Sequence, residues 1–234
     1  MRTLRQARIE QTAFLPRFFE ASELFAPIAR AARTFARHDD WPRVEDYGLA
    51  FAAPPPVRFV AAAPRPRRRR GAPLVASPDD RYDAKIALRR EVSTRARSWH
   101  DFLNALVWAS FPRAKLALHT RQHRAIGAWA PPGTARLPNA RTRELDALAL
   151  IDEGAVIVLR DATEERSAIF GHALYEGLVL ENRSMIARAV VFDAPALPRT
   201  LEDLVAAADE ALAAALSDPA QLAHPEELPR RAVA

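Results

Sequence analysis

The stretch Ser98-Trp99-His100-Asp101-Phe102-Leu103-Asn104-Ala105-Leu106-Val107-Trp108, continued by Phe111-Pro112-Arg113-Ala114-Lys115, organises the reading of the whole chain. Ser98 followed three residues later by Asp101 has the capping-box pattern, in which the hydroxyl accepts from a backbone N–H and the carboxylate reaches back to the N–H of the capping residue. An apolar run follows at once, so the pattern predicts a helix starting after Ser98. Pro112 lacks an N–H and clashes with the turn before it. It therefore predicts either a kink or the opening of a second helix that runs on through Arg113 to Ile126. Gly127, Pro131, Pro132 and Gly133 predict a loop after it.

Working outward, Phe14, Phe18, Leu24, Phe25, Ile28 and Phe35 recur at helical intervals and predict one helix or two short ones before Trp41-Pro42. Residues 54–80 are rich in proline and arginine and predict an extended loop, with Val57-Arg58-Phe59-Val60 alternating as a short strand. Residues 82–97 carry no decisive pattern. Leu145, Leu148 and Ile151 suggest a short helix or an approach to a strand. Ala155-Val156-Ile157-Val158-Leu159 predicts a buried strand, and residues 185–192 another. Asp161 and Glu164 suggest a cap before a helix over residues 164–181. Thr200 and Asp203 cap an alanine-rich helix to Leu216, and residues 217–234 read as a loose tail. The order predicts α+β: a mostly helical single domain over residues 1–216 with a small sheet.

Of 234 residues, 49 are alanine, so the core must rest on relatively few large side chains although 49% of the chain is apolar. There is no cysteine, which excludes disulfides, thiolate metal sites and a cysteine nucleophile. With 7 glycines there is no glycine-rich phosphate loop, and no GxSxG elbow occurs. The first eight residues have no apolar run behind them, and no stretch is long enough to span a bilayer, so a soluble, cytoplasmic protein without a membrane partner is expected. The formal charge of +5 hides a division: residues 1–80 sum to +5, residues 81–143 to +10 and residues 144–234 to −10. Arg65, Arg67, Arg68, Arg69 and Arg70 form the densest run and are either a phosphate-binding strip or a solvated loop.

Several polar residues have spacings that suit chemistry. Asp101, Asn104, Trp108 and Lys115 lie three, four and seven residues apart, as on one helical face. His172 and Glu176 sit four apart, the arrangement in which a carboxylate orients an imidazole as a base or metal ligand. Gly171 costs helix propensity just before His172, a hint of close backbone approach. Asp152-Glu153-Gly154 is either a carboxylate pair at a strand edge or an ordinary turn. His119 and His123 share the spacing of zinc-binding helices, but Arg121 and Arg124 beside them oppose a cation.

The stretch from Trp99 to Trp108 with Phe111-Pro112-Arg113-x-Lys115 resembles the signature of a bacterial family known only as domain of unknown function 3025. Arg143-Glu144-x-Asp146-Ala147-Leu148-x-Leu150-Ile151-Asp152-Glu153-Gly154 and Phe170-Gly171-His172-Ala173-Leu174-x-Glu176 are similar to further segments of that family. The likeness spans residues 10–216. It assigns no activity and leaves cofactor and metal open. It does mark the residues above as members of motifs.

Three readings follow. In the first, His172, Glu176, Asp152, Glu153 and Asp101 form a hydrolytic or acid/base site, with Asn104, Trp108, Lys115 and Arg143 holding a small polar or anionic ligand. In the second, the motifs are one buried polar network without catalysis. In the third, the basic segment, and the run from Arg65 to Arg70 above all, binds nucleic acid or another anion.

Overall fold

A computed structural model describes residues 13–62, 78–130, 141–181 and 185–233. The arginine run from Arg65 to Arg70 lies outside the described residues. The helices are α1 (Ala26–Arg33), α2 (Tyr82–Arg89), α3 (Trp99–Ser110), α4 (Pro112–Trp129), α5 (Arg143–Gly154), α6 (His172–Glu181) and α7 (Leu201–Ser217). The strands are β1 (Arg58–Ala61), β2 (Glu91–Thr94), β3 (Ala155–Arg160), β4 (Glu165–Ile169), β5 (Met185–Asp193) and β6 (Arg230–Val233). The fold is mixed α+β and mostly helical, as the sequence predicts.

Helix α3 is the centre of the molecule. Nine of its twelve residues are buried, so it is apolar nearly all round and has neighbours on every side. Ser98 caps it by accepting from Asp101 N–H. The predicted reciprocal bond does not form: the Asp101 carboxylate reaches past Ser98 to accept the N–H of Arg95 at 2.5 Å and to pair with the Arg95 guanidinium. On one side of α3, Phe102 is ringed by Phe14, Phe18, Phe35, Trp41, Tyr47 and Trp99, with centroids 5.4 to 6.2 Å away. Five of the aromatic residues scattered over the first 50 positions thus gather around one side chain, which offsets the scarcity of large aliphatics.

Pro112 opens α4 at its first position, where its missing N–H is not needed. The buried Asp209 of α7 accepts from the N–H groups of Arg113 and Ala114 at 3.2 and 2.7 Å, so a side chain from a distant helix caps α4.

The described strands form two sheets. One pairs β1 with β2 in parallel; the other has the order β4-β3-β5-β6. Strand β3 is covered on both faces, which explains its unbroken apolar run. It pairs antiparallel with β4 and parallel with β5.

Two expectations are corrected here, and one undecided stretch is assigned. Residues 165–169 are strand β4 rather than helix, because Asp161 accepts from Thr163 and Glu164 N–H and closes a β3–β4 hairpin in place of capping a helix. The undecided residues 82–97 contain α2 and β2. Residues 217–234 are no loose tail: Leu222, Leu228 and Val233 are buried, and β6 pairs antiparallel with β5 and covers its edge.

Replacing Phe102 by alanine removes the ring on which six others pack. Phe102→Ala is expected to lower the unfolding free energy by about 3–5 kcal/mol in urea titrations. A loss under about 1 kcal/mol would show that the cluster is not the structural centre.

Candidate functional site

Four helix termini meet at the start of β3, and each brings polar side chains. His100 lies in the first turn of α3, Lys115 in the first turn of α4, Asp152 and Glu153 in the last turn of α5, and His172 and Glu176 in the first half of α6. Residues 152–154, which the sequence left open between a strand-edge carboxylate pair and a turn, are the end of a helix. Its sequence leads directly into the buried strand, with Ala155 N–H still bonded to Ile151.

Gly171 makes the meeting possible. A methyl group on its α-carbon would lie 2.5 Å from the backbone of Gly154, so only glycine lets the start of α6 approach the end of α5. The N–H groups of Phe170 and Gly171 both bond to Ala155 carbonyl, which locks the approach. The close contact hinted at by the sequence is real.

Deepest in the site, Lys115 is fully buried, and its Nζ donates to Asp152 Oδ1 at 2.5 Å. The ammonium also lies 5.7 and 5.8 Å from the ring centroids of Trp108 and Phe170. Burial by itself would push the Asp152 carboxyl up. The charge of Lys115 and its hydrogen bond outweigh it, helped by His119 and His172 once acid protonates those rings, and hold that carboxyl well below the usual range.

Above this pair stands His172. Its Nδ1 donates to the Asp152 carbonyl at 2.9 Å, one of the carbonyls that a helix C-terminus leaves without an internal partner. Burial lowers the His172 value to about 3, so the ring is neutral. Its Nε2 faces His100 Nε2 at 3.0 Å and Glu153 Oε2 at 3.3 Å. The far side of His100 is bonded from Nδ1 to Glu176 at 2.9 Å, and this bond raises the His100 value. Glu153 is raised, by burial first and by Asp152 next. The site grades from a sealed interior at Lys115 to solvent at Glu153, whose side chain is 50% exposed.

The structure thus brings together His172, Glu176, Asp152, Glu153 and Lys115 from the predicted set and adds His100. Glu176 orients His100 and not His172, because four residues along α6 the carboxylate points toward α3. Asp101 faces away, holding Arg95. Trp108 forms the floor under Lys115 rather than a ligand contact. Asn104 lies beside the site, donating to Tyr82 hydroxyl at 3.1 Å. Arg143 stands at the opposite end of α5, about 13 Å away by helical rise, and pairs with Glu226. Two neighbours were not predicted. His100 stands inside the quoted motif, one residue before the putting-together of the cap at Asp101, and its place four residues before Asn104 on one face was the available signal. Tyr82 sits where no pattern was read.

Residues 73–166 match the model of a family described as a protein of unknown function, DUF3025. No curated protein and no solved structure matches the chain. The DUF3025 match contains His100, Lys115, Asp152 and Glu153 and ends before His172 and Glu176, the pair that completes the site. Among the described residues, no helix is long and apolar enough to cross a membrane.

Two measurements test this description. Gly171→Ala forces the α5 terminus and α6 apart and is expected to cost about 1–3 kcal/mol in thermal or urea unfolding; full retention of stability would contradict the packing. The second concerns His119, which stacks on Trp108 at 5.4 Å and is held neutral by burial, its value lowered to about 4 from 6.5. The unfolded chain takes up that proton below pH 6.5 while the folded chain refuses it until about pH 4. Stability is therefore lost as pH falls through this window, by roughly 3 kcal/mol from this residue. His119→Phe is expected to flatten the acid limb of stability against pH by about that amount, and an unchanged limb would contradict it.

Proposed function

We propose that the protein is an enzyme of hydrolytic or acid/base type, acting on a small polar substrate that enters over His100, Glu153 and Glu176. The observation that supports this most is the facing pair of imidazoles at the rim, each with its other nitrogen already held by a fixed acceptor. Rings oriented in this way present a defined basic atom to a ligand, and the neighbouring carboxylates suit the activation of water. Lys115 is sealed against Asp152 and holds the floor of the site instead of an anionic ligand. A bacterial, cytoplasmic setting belongs to the same proposal, carried over from the sequence reading.

One observation favours a second reading, the non-enzymatic polar network: the Lys115–Asp152 pair is buried as structural pairs are. The two readings differ in what the rim residues do. Lys115→Met leaves a buried carboxylate unpaired and is expected to cost about 3–5 kcal/mol under either reading. His100→Ala and Glu153→Gln are expected to leave the melting temperature within about 3 °C of the parent, a shift of about 1 kcal/mol for a chain of this size. They are expected to lower turnover of a chromogenic ester, amide or phosphoester panel at least about 100-fold. If both rim variants melt as early as Lys115→Met, the cluster only supports the fold and the enzymatic reading is wrong. Nucleic-acid binding by the run from Arg65 to Arg70 has no support among the described residues.

A further inference from the structure

We propose that His100, Glu153 and His172 bind one divalent transition-metal ion. The argument starts from hydrogen bonds. His172 Nδ1 faces a carbonyl, which accepts only, so that nitrogen carries the proton. His100 Nδ1 faces the Glu176 carboxylate and likewise donates. In neutral imidazoles both Nε2 atoms then present lone pairs, and they face each other at 3.0 Å. Glu153 Oε2 brings a further lone pair to 3.3 Å from His172 Nε2. The three ligand atoms all lie within 4.8 Å of one another.

Lone pairs that converge in this way repel unless a cation stands among them. The spacing suits a metal: ligands about 2.05 Å from an ion and 3.0 Å apart subtend about 94°, and those 3.3 Å apart about 107°. Both angles fall within the range of tetrahedral to octahedral sites. Two imidazoles and one carboxylate select zinc, iron, manganese or cobalt over magnesium and calcium, which take oxygen ligands.

The surroundings match as well. In metal sites the far nitrogen of a ligating histidine donates to a carboxylate or a backbone carbonyl, and here Glu176 and the Asp152 carbonyl take those two roles. Lys115 cancels Asp152, which leaves Glu153 and Glu176 as the net charge beside the neutral rings, a balance that favours a dication. Three protein ligands leave further coordination positions for water on the solvent side, where Glu153 is half exposed. Without a metal, a proton shared between the two Nε2 atoms is the alternative. The inference uses the same site as the proposed activity but stands on the geometry of the rings, so either can fail without the other.

The test uses the full chain, stripped with chelator and titrated calorimetrically with Zn²⁺, and separately with Co²⁺ followed by its visible absorption. One equivalent is expected to bind at micromolar affinity or tighter, with no saturable binding of Mg²⁺ or Ca²⁺ at the same concentrations. His100→Ala and His172→Ala are each expected to weaken Zn²⁺ binding at least about 100-fold, and Glu176→Gln, acting through His100, about 10–100-fold. Because His172 is buried and its loss threatens the fold, the partly exposed His100 carries the decision. Absence of stoichiometric Zn²⁺ and Co²⁺ binding, or binding unchanged in His100→Ala, overturns the metal site and leaves the shared proton. Turnover in protein that binds neither Zn²⁺ nor Co²⁺ would overturn the metal site while keeping the enzyme; tight Zn²⁺ binding without turnover would do the reverse.

Discussion

The buried pair of Lys115 and Asp152 is the constraint on which the site depends. An ammonium sealed between the rings of Trp108 and Phe170 has no water and requires an opposite charge, and Asp152 supplies it. Because Asp152 is in the last turn of α5, this pairing fixes where α5 ends against the start of α4. The same residue then orients His172 through its backbone carbonyl. One aspartate thus uses its carboxylate to join two helices and its main chain to aim the ring of a third. The outer atoms of the cluster are arranged by an interior that a ligand does not touch.

Opposite charges join the rest of the molecule in the same manner. The strongly basic segment 81–143 and the acidic segment 144–234 meet face to face where α4 packs against α7. Arg121 is buried there: it pairs with Glu144 at 2.8 Å and donates to the carbonyls of Asp218, Pro219 and Gln221 beyond α7. Asp209 caps α4 from the other side. Such contacts turn part of the charge division inward, since the Arg121 guanidinium, satisfied by a carboxylate and three carbonyls, is not offered to phosphate.

Much of the fold was legible because its signals are local. Ser98 and Thr200 each cap the helix that follows, Pro112 opens one, and the apolar run at 155–159 is a central strand. Where local signals compete, the reading failed. Asp161 fits a helix cap and a hairpin turn equally well, and only pairing of β4 with β3 decides between them. The last strand is four residues long, too short to show alternation, and it exists because the edge of β5 is there to receive it. The site divides along the same line. The motifs at 99–115, 143–154 and 170–176 were recognisable, yet membership of a motif did not distinguish Asp152, at the heart of the cluster, from Asp101 and Arg143, which serve other neighbours.

The sequence by itself determined the helices that open at Ser98, Pro112 and Thr200, the central strand, the absence of thiol chemistry and the residues among which a site had to be sought, because capping, periodicity and composition act over a few neighbouring positions. The tertiary structure alone decided the partners. Glu176 bonds to His100, 76 residues away, rather than to His172 on its own helix, and the two histidines face each other across 72 residues. Contacts of that range are set by how helix ends pack, and here by a single glycine whose missing side chain lets α6 touch α5.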